Sequence, residues 1–139
     1  MIRRAPAKSV ATDHWKGRRD NARAFHEAAR TQLMLLRPAS NANPVISLTA
    51  SAAMGYADAL TAKRIGVVNQ DQHDQIVSTL RRAVGNRMTS TIARHLTNIV
   101  KEKSTAQYGA RHGALETAIK LLASLDAFAQ WIEQELGTP

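Results

Sequence analysis

From Leu115 to Leu136 the apolar residues Leu115, Ala118, Leu122, Leu125, Ala129, Ile132 and Leu136 recur at alternating intervals of three and four. That spacing gathers them on one side of an α-helix and cannot be written onto the two-residue alternation of a strand. Sustained over three heptads, it predicts a seam against other helices, inside a bundle or between two chains. The same periodicity runs through the rest of the chain, where β-branched alternation is nearly absent.

Five helices follow from this pattern. The first is expected from about Thr12, acting as N-cap, to Arg37 before Pro38. Its apolar line is Trp15, Ala22, Phe25, Ala29, Leu33 and Leu36, and the opposite face carries Arg18, Arg19, Arg23 and Arg30. The second opens at Asn43-Pro44, read as an N-cap followed by proline in the first turn, and ends near Gly66. It is apolar on most sides, which places it at the centre of its domain. Gly55 and the alanines around it allow close approach of neighbouring helices. The third is expected over about Gln72–Val84, the fourth over Arg87–Glu102 and the fifth over Arg111–Leu136. Short loops between such helices predict an all-α, up-and-down antiparallel bundle. One domain is expected over residues 12–139, with residues 1–11 as a basic flexible tail.

The net charge of +8 is unevenly distributed. Residues 1–40 hold nine Lys/Arg against three Asp/Glu, whereas from Leu115 onward one lysine faces four acids. A basic half points to a polyanionic partner, with Arg18, Arg19, Arg23 and Arg30 as nucleic-acid-binding candidates; solvated charge on exposed helix faces is the plainer explanation. There is no cysteine, which excludes disulfides and thiolate metal sites. The five histidines form no i, i+4 pair with one another, so no metal is expected. Phosphate-loop and dinucleotide glycine motifs are absent, and no cofactor is expected. Without a leader-like or membrane-spanning apolar run, the expectation is a cytoplasmic protein with no membrane association.

What remains is chemistry that histidine, lysine, arginine and carboxylate can supply without a metal. Asp58 interrupts an otherwise apolar helix, and a buried carboxylate needs a partner, for which Lys103, His73 and Arg64 are candidates. Lys103 and Tyr108 flank the polar stretch KEKSTAQYGARHG. Arg111-His112 follow it, and Arg94-His95 lie on the fourth helix. Adjacent residues point about 100° apart on a helix, so solvent exposure is the simpler reading for Arg94-His95, and Arg111-His112 read as helix-start residues. Lys103 can equally complement a helix C-terminus, and Tyr108 can cover the end of the core.

Four stretches in order, DHWKGRRDNARAFHEAA, NPVISLTASAAMGYADAL, GVVNQDQHDQIVSTLRRA and LTNIVKEKSTAQYG, resemble a HEPN domain of the small stand-alone bacterial type, over about residues 13–135. The resemblance implies an antiparallel helical bundle that forms a homodimer. It also implies involvement in RNA cleavage, in toxin–antitoxin or defence systems, and a cognate antitoxin or nucleotidyltransferase-type partner. Where active members carry an arginine and, four to six residues on, a histidine, this chain has Lys103 and Tyr108. Lysine keeps the cation without arginine's bidentate fork, and an ordinary phenol is a donor rather than a base at neutral pH. On this comparison the site is a cleft lined by Lys103, Tyr108, Asp58 and His73, acting on or binding RNA or a nucleotide. If there is catalysis it is that of a metal-independent ribonuclease, with Lys103 stabilising phosphate charge, His73 as base and Asp58 orienting one of them. The alternative is a non-catalytic helical protein-interaction or dimerisation module in which these polar residues fix helix register.

Overall fold

A computed structural model describes residues 8–69 and 75–139. Within them lie β1 (Lys8–Ser9), α1 (His14–Leu35), α2 (Asn43–Ile65), β2 (Val67–Val68), α3 (Ile76–Val84), α4 (Ser90–Tyr108) and α5 (Leu115–Leu136). The architecture is the expected all-α bundle, with one short antiparallel pairing of β1 on β2. The long helices alternate in direction along the chain. At one end the final turn of α2 meets the final turn of α5, where Arg64 donates to the carbonyls of Glu135 (2.7 Å), Thr138 (3.1 Å) and Pro139 (3.0 Å) and Lys63 to that of Leu136. These two cations sit on carbonyls at and just beyond the C-terminal end of α5, where positive charge also complements the helix dipole. At the other end the segment before α5 is tied to the start of α2 by Ala42 N–H donating to Gly113 O (3.0 Å) and Asn43 Nδ2 to Arg111 O (2.9 Å). α1 and α4 run opposite to α2 and α5: Trp15 lies beside Lys63, and Arg87, just before α4, reaches Glu135 near the end of α5.

α2 is central, as its composition demands. Thirteen of its residues are buried, and it packs against α1, α3, α4 and α5. The predicted seam of α5 faces the interior: Ala118, Leu122, Leu125, Ala129, Ile132 and Leu136 are buried, together with Phe128. α1 and α2 approach closely at Gly55, where a Cβ would lie 3.0 Å from that of Ala22. α2 ends at Gly66, whose φ of +68° is a left-handed conformation that glycine adopts without strain. That turn sends the chain into β2, alongside β1.

Several boundaries differ from the sequence expectation. α1 is shorter, His14–Leu35, with Asp13 rather than Thr12 before its first turn. Ala42 precedes α2, so Asn43 sits inside the first turn and spends its side chain on Arg111. α4 continues through KEKSTAQY to Tyr108, because lysine, glutamate, alanine and glutamine favour helix and nothing interrupts it before Gly109. The polar break is therefore only the segment 109–114. Arg111 and His112 lie in that connection and not at a helix start, since the backbone of Arg111 and Gly113 is bonded to α2. Lys8 to Val10, placed in the expected loose tail, are held by the pairing with β2 and by Val10 N–H donating to Gly66 O (3.0 Å). Phe25 is 42% exposed, and His26 takes the place in the α1 core stripe that Phe25 was expected to fill. Enlarging the α1–α2 contact is the direct test of this packing: Ala22→Leu should cost about 1–3 kcal/mol by overpacking against Gly55, measured by urea unfolding.

Candidate functional site

The close approach of α1 to α2, the β1–β2 pairing and the overrun of α4 together leave an open cleft of about 860 Å³. α1 lends it Arg18, Asn21 and Phe25; α2 lends Ser51, Met54 and Asp58. Lys8 comes from β1, Asn69 from the residue after β2, and Lys103 and Tyr108 from the last turns of α4. Three cations, one carboxylate and two aromatic rings thus share one concave surface. The pocket size lies in the range of small-ligand sites.

Asp58 lies at the wall of this cleft and is only 6% exposed. Asn69 N–H donates to its Oδ1 at 3.1 Å, and Arg18 Nη1 stands 3.8 Å from its Oδ2. Burial raises its pKa to about 6, against the opposing pull of Asn69 and the Arg18 charge. Arg18 is in turn held from its other side, where its Nε donates to His14 Nε2 at 3.1 Å. Arg18 of α1 therefore links His14, one turn earlier on α1 and just outside the cleft, to Asp58 of α2 in its wall.

The other sequence candidates are distributed as follows. Lys103 is partly buried in the cleft wall, and Tyr108 stands 83% exposed on its rim. His73 lies outside the described residues. The four arginines of α1 do not form a common face. Arg18 turns to the cleft; Arg19 stacks over Trp15 (5.1 Å) and pairs with Asp20 (3.2 Å). Arg23 makes a two-pronged pair with Glu133 (2.6 and 2.8 Å), and Arg30 meets Asp126 (3.1 Å). The basic first helix is thus partly answered by the acidic fifth within the chain. Arg64, a candidate partner for Asp58, instead holds the end of α5.

Sequence reasoning missed Lys8 and Asn69 in the cleft and His14 beside it. The i, i+4 spacing of His14 and Arg18 is a usable signal for His14; the other two arrive through the β1–β2 pairing, which two-residue strands do not announce. It also missed a second polar group between α1, α2 and α5. His26, 3% exposed, lies 2.9 Å from Tyr56 Oη through Nδ1 and 2.7 Å from Asp126 Oδ1 through Nε2. Burial lowers the His26 pKa and pushes that of Tyr56 up to about 12. The ring is therefore neutral: Nε2–H donates to the Asp126 carboxylate and Nδ1 accepts from the Tyr56 hydroxyl. With Tyr56 also 3% exposed, this chain satisfies two buried polar groups and reaches the surface through Asp126, whose side chain is half exposed. Among the described residues no three His, Asp or Glu side chains gather as a metal site, and no helix is long and apolar enough to cross a membrane. No protein-family model matches the chain, and no curated protein matches it.

The raised pKa of Asp58 has a definite stability consequence. Its folded value of about 6 exceeds the ordinary 3.8, so the native state binds the proton more tightly. That stability is fully present below pH 3.8 and is lost as pH rises through 6. Relative to Asp58→Asn, the wild-type chain should lose about 2 kcal/mol between pH 4 and pH 7 in denaturant unfolding. The asparagine retains an oxygen acceptor for Asn69 N–H.

Proposed function

We propose that the cleft binds the phosphate groups of a ribonucleotide, free or within single-stranded RNA, and that the chain is a HEPN-type protein. The observation that carries this reading is the convergence of Lys8, Arg18 and Lys103 with the exposed rings of Phe25 and Tyr108 on one surface. Cations meet phosphate oxygens and exposed rings offer faces to bases, a combination suited to single strands. The all-α bundle and the meeting of Asp58, Lys103 and Tyr108 also support the family assignment. The proposed activity is binding. Cleavage, if it accompanies binding, has Lys103 as the phosphate-stabilising cation and His73 as base; Asp58, near neutrality and beside Arg18, is the acid–base group on the described part of the cleft. An antitoxin or nucleotidyltransferase-type partner belongs to the same proposal.

A non-catalytic association role has its own support. Met34 (80% exposed) and Leu35 close α1, and Ile119 stands exposed on α5 at the same end of the bundle. Apolar side chains left in water there suit contact with a second copy of the chain.

Binding is tested by fluorescence anisotropy with a labelled ten-nucleotide single-stranded RNA, with AMP as competitor. Arg18→Ala and Lys103→Ala should each weaken RNA binding about tenfold or more, the loss of a charge-assisted contact. Arg82→Ala on α3 should leave it unchanged. Competition by AMP assigns the site to the single nucleotide; its failure assigns it to the strand. Equal affinity in all three variants contradicts the reading.

A further inference from the structure

Arg18 lies between two polar partners. Its guanidinium lies between two groups that hold it only in particular protonation states. His14 accepts from Arg18 Nε through Nε2, which requires that nitrogen to carry no proton. Asp58 attracts Arg18 Nη1 from 3.8 Å, which requires the carboxylate to be charged. That second contact is longer than a hydrogen bond, and the Arg18 side chain is 39% exposed. Arg18 therefore has donors left over and open space in front of them.

We propose that Arg18 is the phosphate-binding arginine of the cleft and that Asp58 is its internal competitor, so that an anionic ligand takes Arg18 from Asp58 and binding is accompanied by proton uptake. This inference rests on the reading of the cleft as a phosphate site. The physical chain is short. A phosphate oxygen on Arg18 draws the guanidinium away from Asp58 and places a second negative charge near a carboxylate that is already buried. Both changes disfavour the charged carboxylate. Its pKa in the free protein, already raised to about 6, leaves it within reach of a proton at neutral pH. Protonating His14 removes the other tether and adds positive charge beside the ligand.

Among the described residues, the groups facing this junction are few. Asp13 just before α1 and His14 within it, Lys8 of β1, and Lys103 and Tyr108 of α4 make up the titratable set. α3 presents only Ile76 there, and Asn69 offers its amide to Asp58. Asp58 is thus the buried carboxylate that Arg18 faces, and it sets how strongly that arginine meets an external anion.

The test uses the whole chain and a short single-stranded RNA with hydroxyl ends, because phosphodiesters do not titrate between pH 5 and 8. RNA affinity is measured for the wild type and for Asp58→Asn at pH 7.5 and pH 5.5. Protonation of other histidines acts on both proteins alike, so the ratio between them is the readout. The variant should bind about tenfold more tightly than the wild type at pH 7.5, and the two should converge at pH 5.5. A ratio that stays constant with pH, or is already one at pH 7.5, overturns the inference while leaving the cleft reading in place. Absence of RNA binding by either protein at both pH values overturns both. A second measurement needs no variant: the side-chain carboxyl ¹³C shift of Asp58 should titrate at a pH about one unit higher with saturating RNA than without, corresponding to a tenfold coupling. An unchanged midpoint contradicts the proposal.

Discussion

A helix packed on nearly every side makes demands on its neighbours through the polar side chains it buries, and α2 is such a helix. Thr49 is buried without a hydrogen-bond partner for its hydroxyl among the described residues, but three other polar groups of α2 each dictate something on a neighbour. Tyr56 is met by His26 of α1, and His26 by Asp126 of α5. Thr61 donates to the carbonyl of Val67 and so ties the turn after Gly66 against the helix. Asp58 draws the backbone of Asn69 from one side and Arg18 from another. Unmade, any of these contacts would leave a buried polar group at a cost of about 1–3 kcal/mol. The bundle is therefore organised twice: by apolar burial, and by a small set of polar demands issued from its central helix.

Asp58 differs from the others in how it is satisfied. Tyr56 and Thr61 have neutral partners at hydrogen-bond distance, whereas Asp58, beyond its bond from Asn69 N–H, faces a cation at 3.8 Å with an open cleft beside it. An asparagine would accept from Asn69 without the desolvation cost of a charge. A carboxylate kept at such a place lowers stability near neutral pH, the kind of cost that accompanies function. The charge asymmetry of the chain sharpens the point. Arg23 and Arg30 are paired with Glu133 and Asp126, so the basic character of α1 is partly neutralised on its α5 side. On the α2 side, Lys8, Arg18 and Lys103 share the cleft with Asp58.

Much of this was legible in the sequence because burial is periodic. The three-and-four spacing of α5 and the apolar surround of α2 predict both helices and their central places. Asp58 was legible for the same reason, as a carboxylate out of pattern. α4 runs past the polar stretch because polar composition is not by itself a break: the residues from Lys101 to Tyr108 are mostly good helix formers. Phe25 and His26 exchanged places because hydrophobicity alone ranks phenylalanine inward, while His26 finds two polar partners from distant helices. Asn69 and Lys8 were not legible: they reach the cleft through a two-residue pairing whose strands carry no periodic signature.

In the proposed binding mode a nucleic-acid ligand enters the cleft beside Asp58 and not elsewhere on a basic surface. Amide chemical-shift mapping with a short single-stranded RNA tests it most directly. The largest changes should fall on Arg18, Gly55, Asp58, Asn69 and the turn from Lys103 to Tyr108. Changes confined to the α1–α5 face around Arg23 and Arg30, or spread evenly over the exposed lysines and arginines, would contradict it.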